Sequence, residues 1–305
     1  LSMLSGFNGI GNDRAADLMS RAYNDWVIDW CSAGPERLFP AAVLPLVSAT
    51  DSANEMRRVA ANGFKLAMVR PIPLRGLYPL QREYDALWHS FCETRLVVGM
   101  HTLGGPGTPW GDLLDRAADK AQMPGPAPTR CLGFVHEAMT FVASMLLSGF
   151  FERFPNMPPM AIMESNATWL PIVLEQCDRV AKSKSGPRLA ALPSETFMSR
   201  CFIAFEGDEE GVHKQHTYFE NIGIWSSDLP HIDGSDAWTA MREMDEAGVP
   251  EKVQGKLLGA NACRMYGIPA KTFTTTEPES YGPRPAWFPS DADLDREFAS
   301  RVAPR

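Results

Sequence analysis

Short apolar runs, many of them rich in β-branched residues, alternate along the chain with longer amphipathic stretches. The short runs have the length of strands, and the longer stretches repeat their apolar residues every three or four positions, as buried helix faces do. Strands are predicted at 37–47, 64–71, 95–105, 160–166, 201–208 and 221–228. Helices are predicted at 52–63, 81–94, about 131–153, 170–183, 237–248 and 250–267.

Strands separated by helices indicate βα units and therefore an α/β fold with a parallel sheet. Two architectures satisfy this pattern, an open doubly wound sheet and a closed (β/α) barrel. No G-x-G-x-x-G follows a predicted strand, and no G-x-x-x-x-G-K-[ST] occurs in the chain, so a nucleotide-binding fold has no support. The barrel is favoured, and barrel enzymes carry their chemistry at the carboxyl ends of the strands.

Polar or ionisable residues follow the predicted strands. They are Arg70, His101, Glu164, Glu206 with Asp208, and Asp228 with His231. An imidazole and carboxylates that converge on one barrel mouth suit a divalent metal such as zinc or manganese. Such a metal lowers the pKa of a bound water or polarises a substrate carbonyl.

Each of these residues also has a structural alternative. His101 would then be a buried hydrogen-bonding residue, Asp228 would accept turn amides, and Arg70 would pair with a neighbouring carboxylate. Glu206 and Asp208, within "EGDEEG", would form a solvated turn, and Trp169 would belong to the core. The His213 and His216 pair has a spacing compatible with a metal, but two ligands alone are weak evidence.

Composition narrows the class of protein. The 305 residues are 45% apolar and 22% charged, with a net charge of −8. The chain has no block rich in Lys and Arg and no run of 18 apolar residues, so neither nucleic acid nor a membrane is an expected partner. Six scattered cysteines without a C-x-x-C pair are typical of reduced thiols in a cytoplasmic protein.

Several segments resemble the amidohydrolase superfamily, in the branch of aminocarboxymuconate-semialdehyde decarboxylase and related metal-dependent decarboxylases and hydrolases. They are "AYNDWVIDWC" (22–31), "RLFPAAVLPL" (37–46), "GFFERFPNMPPMAIMESNATWLP" (149–171), "IGIWSSDLPHIDG" (222–234) and "GVPEKVQGKLLGANACRMYGI" (248–268). The resemblance covers roughly residues 20–268. The Ser-Asp-Leu-Pro-His segment and the Gly-Ala-Asn-Ala ending are the most specific parts when they occur together.

The resemblance implies a distorted (β/α)8 barrel with a divalent metal at its mouth. Family members ligate the metal with an H-x-H or E-x-H pair on the first strand, a histidine on the fifth and an aspartate on the eighth. His101 matches the fifth-strand histidine and Asp228 the eighth-strand aspartate, which also takes part in proton transfer. Glu164 stands where a sixth-strand histidine often assists catalysis. No H-x-H or E-x-H pair precedes residue 20, so we expect a barrel that is incomplete at its N-terminus and starts near the end of the second strand.

The expected domains are the barrel over 1–268 and a Pro-rich arm over 269–305. The expected activity is a metal-dependent decarboxylation, or a C–C or C–N hydrolysis, of a small aromatic or carboxylated substrate. The assigned residues are Asp228 and Glu164 for catalysis, His101 and Asp228 for the metal, and Arg70, His231 and Trp169 for the substrate. Zinc is the first expectation for the metal and manganese the second. The loop 104–130 is expected to cover the mouth, and a homodimer is expected from the family likeness.

A second hypothesis comes from a different class. The chain would be a non-catalytic barrel fragment or subunit, because two of the four family ligands are missing and a catalytic zinc usually needs three protein ligands. A nucleotide-binding α/β protein is a weaker third reading, since the glycine fingerprint is absent.

Overall fold

Six short strands form one parallel sheet in sequential order, β1 to β6. The strands are β1 Ala41–Ala42, β2 Leu66–Val69, β3 Val97–His101, β4 Met160–Met163, β5 Cys201–Phe205 and β6 Gly223–Trp225. Each strand pairs with the next one along the chain, as in the registers Leu66↔Val97 and Ile203↔Gly223. A doubly wound sheet reverses its strand order at a switch point, so this unbroken order is that of a barrel. Among the described residues β1 and β6 each have a partner on one side only, which fits the expected incomplete barrel.

The coordinates are a computed structural model, which describes residues 11–74, 76–103, 113–114, 116, 127–229, 231, 234–269, 290, 292 and 296. The expected end of a second strand near Leu1 falls outside these residues, and so does most of the expected mouth-covering loop. The chain divides into two units, residues 1–270 and 271–305, and all six strands belong to the first. The domain boundary at 268 and the arm stay predictions, because most of the arm also falls outside the described residues.

The strands consist of apolar residues buried on both faces, which is the normal state of a parallel sheet covered by helices. Every residue of β2, β3 and β5 is buried. Gly99 is needed at the centre of β3, because a Cβ there would lie 2.7 Å from Met68 Sδ and 2.8 Å from Leu66 Cδ2. The missing side chain leaves room for these two β2 side chains, both of which line the cavity described below.

Helices follow or precede each strand. They are α1 Asp13–Cys31, α2 Ala49–Ala61, α3 Asp85–Thr94, α4 Ala127–Leu147, α5 Phe150–Arg153, α6 Leu170–Ala181, α7 Pro193–Arg200, α8 Glu210–Lys214, α9 His216–Phe219, α10 Ala237–Glu246, α11 Glu251–Gly255 and α12 Asn261–Tyr266. A 3₁₀ turn, Arg82–Tyr84, leads into α3, and a π-helical turn, Lys256–Ala260, joins α11 to α12. None of the described helices combines the length and the apolar character needed to cross a bilayer.

The edge strand β1 is fixed to α1 by one buried side chain. Asn24 Nδ2 donates to the Val43 carbonyl oxygen at 2.9 Å, and the Val43 N–H donates to Asn24 Oδ1 at 2.9 Å. Asn24 Nδ2 also donates to Glu55 Oε1 on α2 at 2.8 Å. A backbone edge that would otherwise remain unpaired is thereby satisfied by a side chain.

Candidate functional site

A cavity of about 380 Å³ opens at the carboxyl ends of the strands. One part of its wall is aliphatic and thioether in character and includes Val43, Leu66, Met68, Met163 and Ile224. Another part is ionisable and carries His101, Glu164, Glu206 and Asp228. A cavity that is mostly apolar with a few convergent polar groups is typical of a small-molecule site.

Three side chains in this region form a group that is able to hold a metal ion. Glu164, Asp228 and His231 each offer one ligand atom, and these atoms all lie within 4.8 Å of one another. Two carboxylate oxygens and one imidazole nitrogen are donors that zinc and manganese accept. Within the described part of the chain no second group of this kind occurs, so the His213 and His216 pair does not form one.

His101 lies beside this group and contacts Glu164. Its Nε2 is 2.5 Å from Glu164 Oε2, and its Nδ1 is 2.5 Å from the Thr102 carbonyl oxygen. Both ring nitrogens therefore lie within hydrogen-bond distance of an oxygen atom. The group of three possible ligands includes His231 but not His101, which contacts the group through Glu164, and the assignment of His101 as a metal ligand stays a prediction.

Glu164 stands on a turn with an unusual backbone. Its φ is 52°, and the φ of Asn166 is 55°, a left-handed conformation that non-glycine residues adopt only when neighbours hold them there. The Thr102 hydroxyl donates to the Glu164 carbonyl oxygen. Trp169 Nε1 donates to the carbonyl oxygens of Ser165 and Asn166 at 2.9 and 3.0 Å.

Trp169 was expected to contact the substrate, and the structure places it elsewhere. Only 7% of its surface is exposed, it packs in the hydrophobic core, and it does not line the cavity. Its indole N–H is used by the two carbonyl groups of the Glu164 turn, so its contribution to the site is to hold that turn.

Asp228 also has a left-handed backbone, with a φ of 48°. Its carboxylate contacts His231 Nδ1 at 2.8 Å and 2.9 Å, and the His231 N–H donates to the Asp228 carbonyl oxygen at 2.9 Å. The tight turn thus brings the two side chains together three residues apart. Strand β6 ends at Trp225, three residues before Asp228, so Asp228 lies in the turn after the strand and not at its predicted last position, but it still lines the cavity.

Arg70 was expected at the mouth and is instead enclosed. It is 5% exposed, does not line the cavity, and has Nε and Nη2 buried without a hydrogen-bond partner. Burial lowers the pKa of its guanidinium, and the nearby Glu137 carboxylate acts in the opposite direction. The strand end is where the sequence predicts it, but the side chain points away from the cavity.

Other cavity residues were not found from the sequence. Tyr23 on α1, Trp225 at the end of β6 and Tyr266 on α12 all line the cavity. The positions of Tyr23 and Tyr266 depend on helix rotation, which no local motif reveals. The "EGDEEG" segment is also more than a solvated turn, because Glu206 lines the cavity and Glu209 is 9% exposed, whereas Asp208 is exposed as expected.

A family model for the amidohydrolases matches residues 1–268. The chain belongs to the amidohydrolase family. The match covers most of the 305 residues and includes all the strand ends described above. The predicted family is therefore confirmed, and with it the prediction of an enzyme.

Solved structures with the same fold include three decarboxylases. The 5-carboxyvanillate decarboxylase of Sphingomonas paucimobilis is 20% identical, with a TM-score of 0.68 over 87% of this chain and 76% of that chain. The 2,6-dihydroxybenzoate decarboxylase of Rhizobium is 19% identical, with a TM-score of 0.65 over 86% and 80%. The dihydroxybenzoic acid decarboxylase of Polaromonas sp. JS666, solved with bound manganese and 2-nitroresorcinol, is 17% identical, with a TM-score of 0.64 over 85% and 77%. These amidohydrolase neighbours confirm the barrel fold.

Proposed function

We propose that this amidohydrolase removes carbon dioxide from a small aromatic acid with the help of a divalent metal. The observation that carries the proposal is the convergence of Glu164, Asp228 and His231 within 4.8 Å beside an apolar cavity. The cavity, at about 380 Å³, is at the small end of the range for ligand pockets and suits one substituted ring. The decarboxylase neighbours support the choice of reaction.

The donor set fits a divalent ion. Glu164, Asp228 and His231 would hold it, and the contact of His231 Nδ1 with Asp228 is the kind of carboxylate–imidazole pairing that orients ligands at metal sites. When bound, the metal would withdraw electron density from the oxygen substituents of the substrate and fix the plane of its ring. Manganese is proposed alongside the originally expected zinc, because two of the neighbouring decarboxylases were solved with manganese.

The side chains of this chain supply the remaining steps. Loss of carbon dioxide breaks a C–C bond and leaves its electron pair on the ring carbon, which must then accept a proton. The Asp228 carboxylate, 2.8 Å from His231 Nδ1, is placed to hold that proton and deliver it from an Oδ atom. His101 holds Glu164 through the 2.5 Å contact, and the apolar wall excludes water from the ring.

A second candidate reaction is the hydrolysis of a neutral C–N or C–C bond. The described residues that line the cavity include the carboxylates Glu164, Glu206 and Asp228 but no Lys or Arg. Within the described lining, the counter-charge of a substrate carboxylate would therefore come from a bound metal and not from a Lys or Arg side chain. A neutral substrate needs no such partner, and an activated water would then replace the proton transfer to carbon.

An Asp228→Asn variant tests the assignment. We expect the wild-type protein to bind manganese and to release carbon dioxide from 2,6-dihydroxybenzoate or 5-carboxyvanillate, and the variant to lose both, since an amide is a poor metal ligand and cannot deliver the proton. Calorimetric titration with MnCl₂ and a carbon dioxide assay measure the two effects. The matched control is Asp29→Asn, which makes the same substitution at an exposed residue of α1.

The possible results separate the candidate functions. Manganese binding with hydrolysis of a neutral amide but no carbon dioxide release would favour the second reaction. Absence of both metal binding and turnover in the wild type would favour the non-catalytic alternative. Unchanged metal content and turnover in Asp228→Asn would show that the site assignment is wrong.

We also propose a cytoplasmic location and a homodimer. All six cysteines are free thiols, which supports a reducing compartment. The dimer is supported only by the family likeness, and measurement of the molar mass in solution by light scattering decides it.

A further inference from the structure

Glu209 is a buried carboxylate between two strand ends that contribute to the cavity. It is 9% exposed and lies four residues after the end of β5. Its Oε2 accepts from the Ala167 N–H at 2.9 Å, and its Oε1 accepts from the Glu206 N–H at 3.1 Å. The nearby Asn166 side chain and Thr168 N–H also act to lower the pKa of this carboxyl. One side chain therefore accepts hydrogen bonds from the N–H groups of two neighbouring strand ends.

The position of Glu209 in its own helix does not explain these contacts. It is the residue before α8, where a side-chain oxygen often accepts from the first turn of the helix. The Glu209 side chain makes no such capping bond. It extends instead to the turn after β4, so its hydrogen bonds serve the neighbouring strand end rather than α8.

The turn after β4 is held from two sides. On one side Thr102 and Trp169 donate to the carbonyl oxygens of residues 164–166. On the other side Glu209 accepts from the Ala167 N–H. The left-handed backbone of Glu164 needs such support, because residues other than glycine, asparagine and aspartate rarely adopt it.

We infer that Glu209 is a positioning residue, which sets the direction of the Glu164 and Glu206 carboxylates by holding the turns that carry them. The expected effect of Glu209 on metal binding rests on the proposed function, in which Glu164 is a metal ligand. A glutamine at position 209 has nearly the same shape but replaces one acceptor oxygen by an NH₂ group, which would face an N–H donor whichever way the amide is turned. The turn would then lose one of its supports without a change in side-chain volume.

Burial raises the pKa of the Glu209 carboxyl, and the hydrogen bonds from Ala167 and Glu206, with the nearby Asn166 side chain and Thr168 N–H, act in the opposite direction. A buried carboxylate is tolerated in a protein when hydrogen-bond donors replace its lost water. The Ala167 and Glu206 N–H groups supply that replacement, one for each oxygen, so the geometry accounts for a burial that the sequence pattern does not.

The test compares Glu209→Gln with a matched control, Glu210→Gln, at the next residue. Glu210 is exposed, and its carboxylate pairs with Lys214 in the following turn. Three properties are measured for each variant: the Mn²⁺ dissociation constant by calorimetry, amide hydrogen exchange in peptides covering residues 160–170, and the thermal unfolding midpoint. We expect Glu209→Gln to weaken Mn²⁺ binding by about 10- to 100-fold and to speed exchange at residues 165–168, while Glu210→Gln behaves as the wild type.

The conservative variant Glu209→Asp keeps both acceptor oxygens with a shorter reach, and we expect it to recover part of the Mn²⁺ affinity. It also serves as the test protein if Glu209→Gln does not fold. Unchanged Mn²⁺ affinity in a folded Glu209→Gln would overturn the inference, whether or not the exchange is faster. If the wild type binds no Mn²⁺, the proposed function fails, and the exchange at residues 165–168 decides the positioning role alone: faster exchange supports it and unchanged exchange overturns it.

Discussion

At the scale of single residues, the chemistry of this protein depends on the direction in which each strand-end side chain points. Glu164, Asp228 and His231 meet within 4.8 Å, whereas Arg70 and Trp169 leave the cavity and become enclosed. The sequence identifies all five as strand-end or near-strand-end residues. The sequence does not show the direction of each side chain. The left-handed backbone at Glu164 and Asp228 determines where these two side chains point, and neither residue type predicts that conformation.

We expect substitutions of His101 and of Glu164 to reduce metal binding to different extents. We expect Glu164→Gln to lose most of the Mn²⁺ affinity, because a ligand carboxylate becomes a weakly coordinating amide. We expect His101→Gln to retain one bound Mn²⁺ per chain with about 10- to 100-fold weaker affinity, because it removes only a partner of the ligand. Calorimetric titration of both variants measures the difference. If His101→Gln lost the metal as completely as Glu164→Gln, His101 would be a ligand, as the family resemblance implies.

At the scale of secondary structure elements, buried strands were predicted best and their ends least well. All six predicted strands occur, but the first shrinks from 37–47 to Ala41–Ala42. Leu44 and Leu46 are buried in the core although they lie outside β1. An apolar run predicts burial, but it does not show whether the buried segment pairs with a neighbouring strand. Four helices, α1, α7, α8 and α9, were not predicted. The last two are single turns, and their conformation depends on tertiary contacts and not on a local pattern.

Asn24 is the side chain through which α1 stabilises the edge of the sheet. Substitution by alanine leaves the Val43 N–H and carbonyl groups without this side-chain partner, while Glu55 Oε1 retains its hydrogen bond from Arg58 Nη2. We expect Asn24→Ala to lower the free energy of unfolding by roughly 2–4 kcal/mol, since each buried unsatisfied group costs about 1–3 kcal/mol. Urea denaturation followed by circular dichroism measures the loss.

The control for this comparison is Asn62→Ala, at an exposed residue that follows α2. We expect its free energy of unfolding to remain within about 0.5 kcal/mol of the wild type. A similar small change in Asn24→Ala would show that water satisfies the β1 edge without α1.

At the scale of the whole molecule, one core joins the six strands to the helices around them. The core includes residues from β1 to β6 and from α1 to α12, among them Trp88, whose ring meets Phe150 edge-on at 5.0 Å. Cys177 and Cys201 lie within this core at 3% and 1% exposure, whereas Cys131 is exposed. The accessibility of the Cys177 and Cys201 thiols to a reagent therefore shows whether the core around them is folded.

Alkylation with iodoacetamide at pH 8 tests the integrity of the core. Burial raises the pKa of the Cys177 thiol to about 11, so roughly one thiol in a thousand is a reactive thiolate at this pH. Burial also raises the pKa of Cys201. We expect Cys131 to be labelled within minutes and Cys177 and Cys201 only when urea unfolds the chain. Peptide mass mapping measures the extent of labelling at each site, and early labelling of Cys177 in the native protein would show that the core opens locally.

The sequence by itself determined the barrel class and the family and indicated the carboxylates that we propose for catalysis, because buried strands have a continuous apolar pattern and the polar residues that end them stand out against it. Only the tertiary structure decided which of these residues meet. The segment that contains Glu209 had a solvated turn as its structural alternative, and His231 was expected to bind the substrate, whereas the structure buries Glu209 and places His231 in one group with Glu164 and Asp228. Hydrogen-bond partners come from segments far apart in the chain, 42 residues for Glu209 with Ala167 and 62 residues for Glu164 with Thr102, and no local pattern contains them.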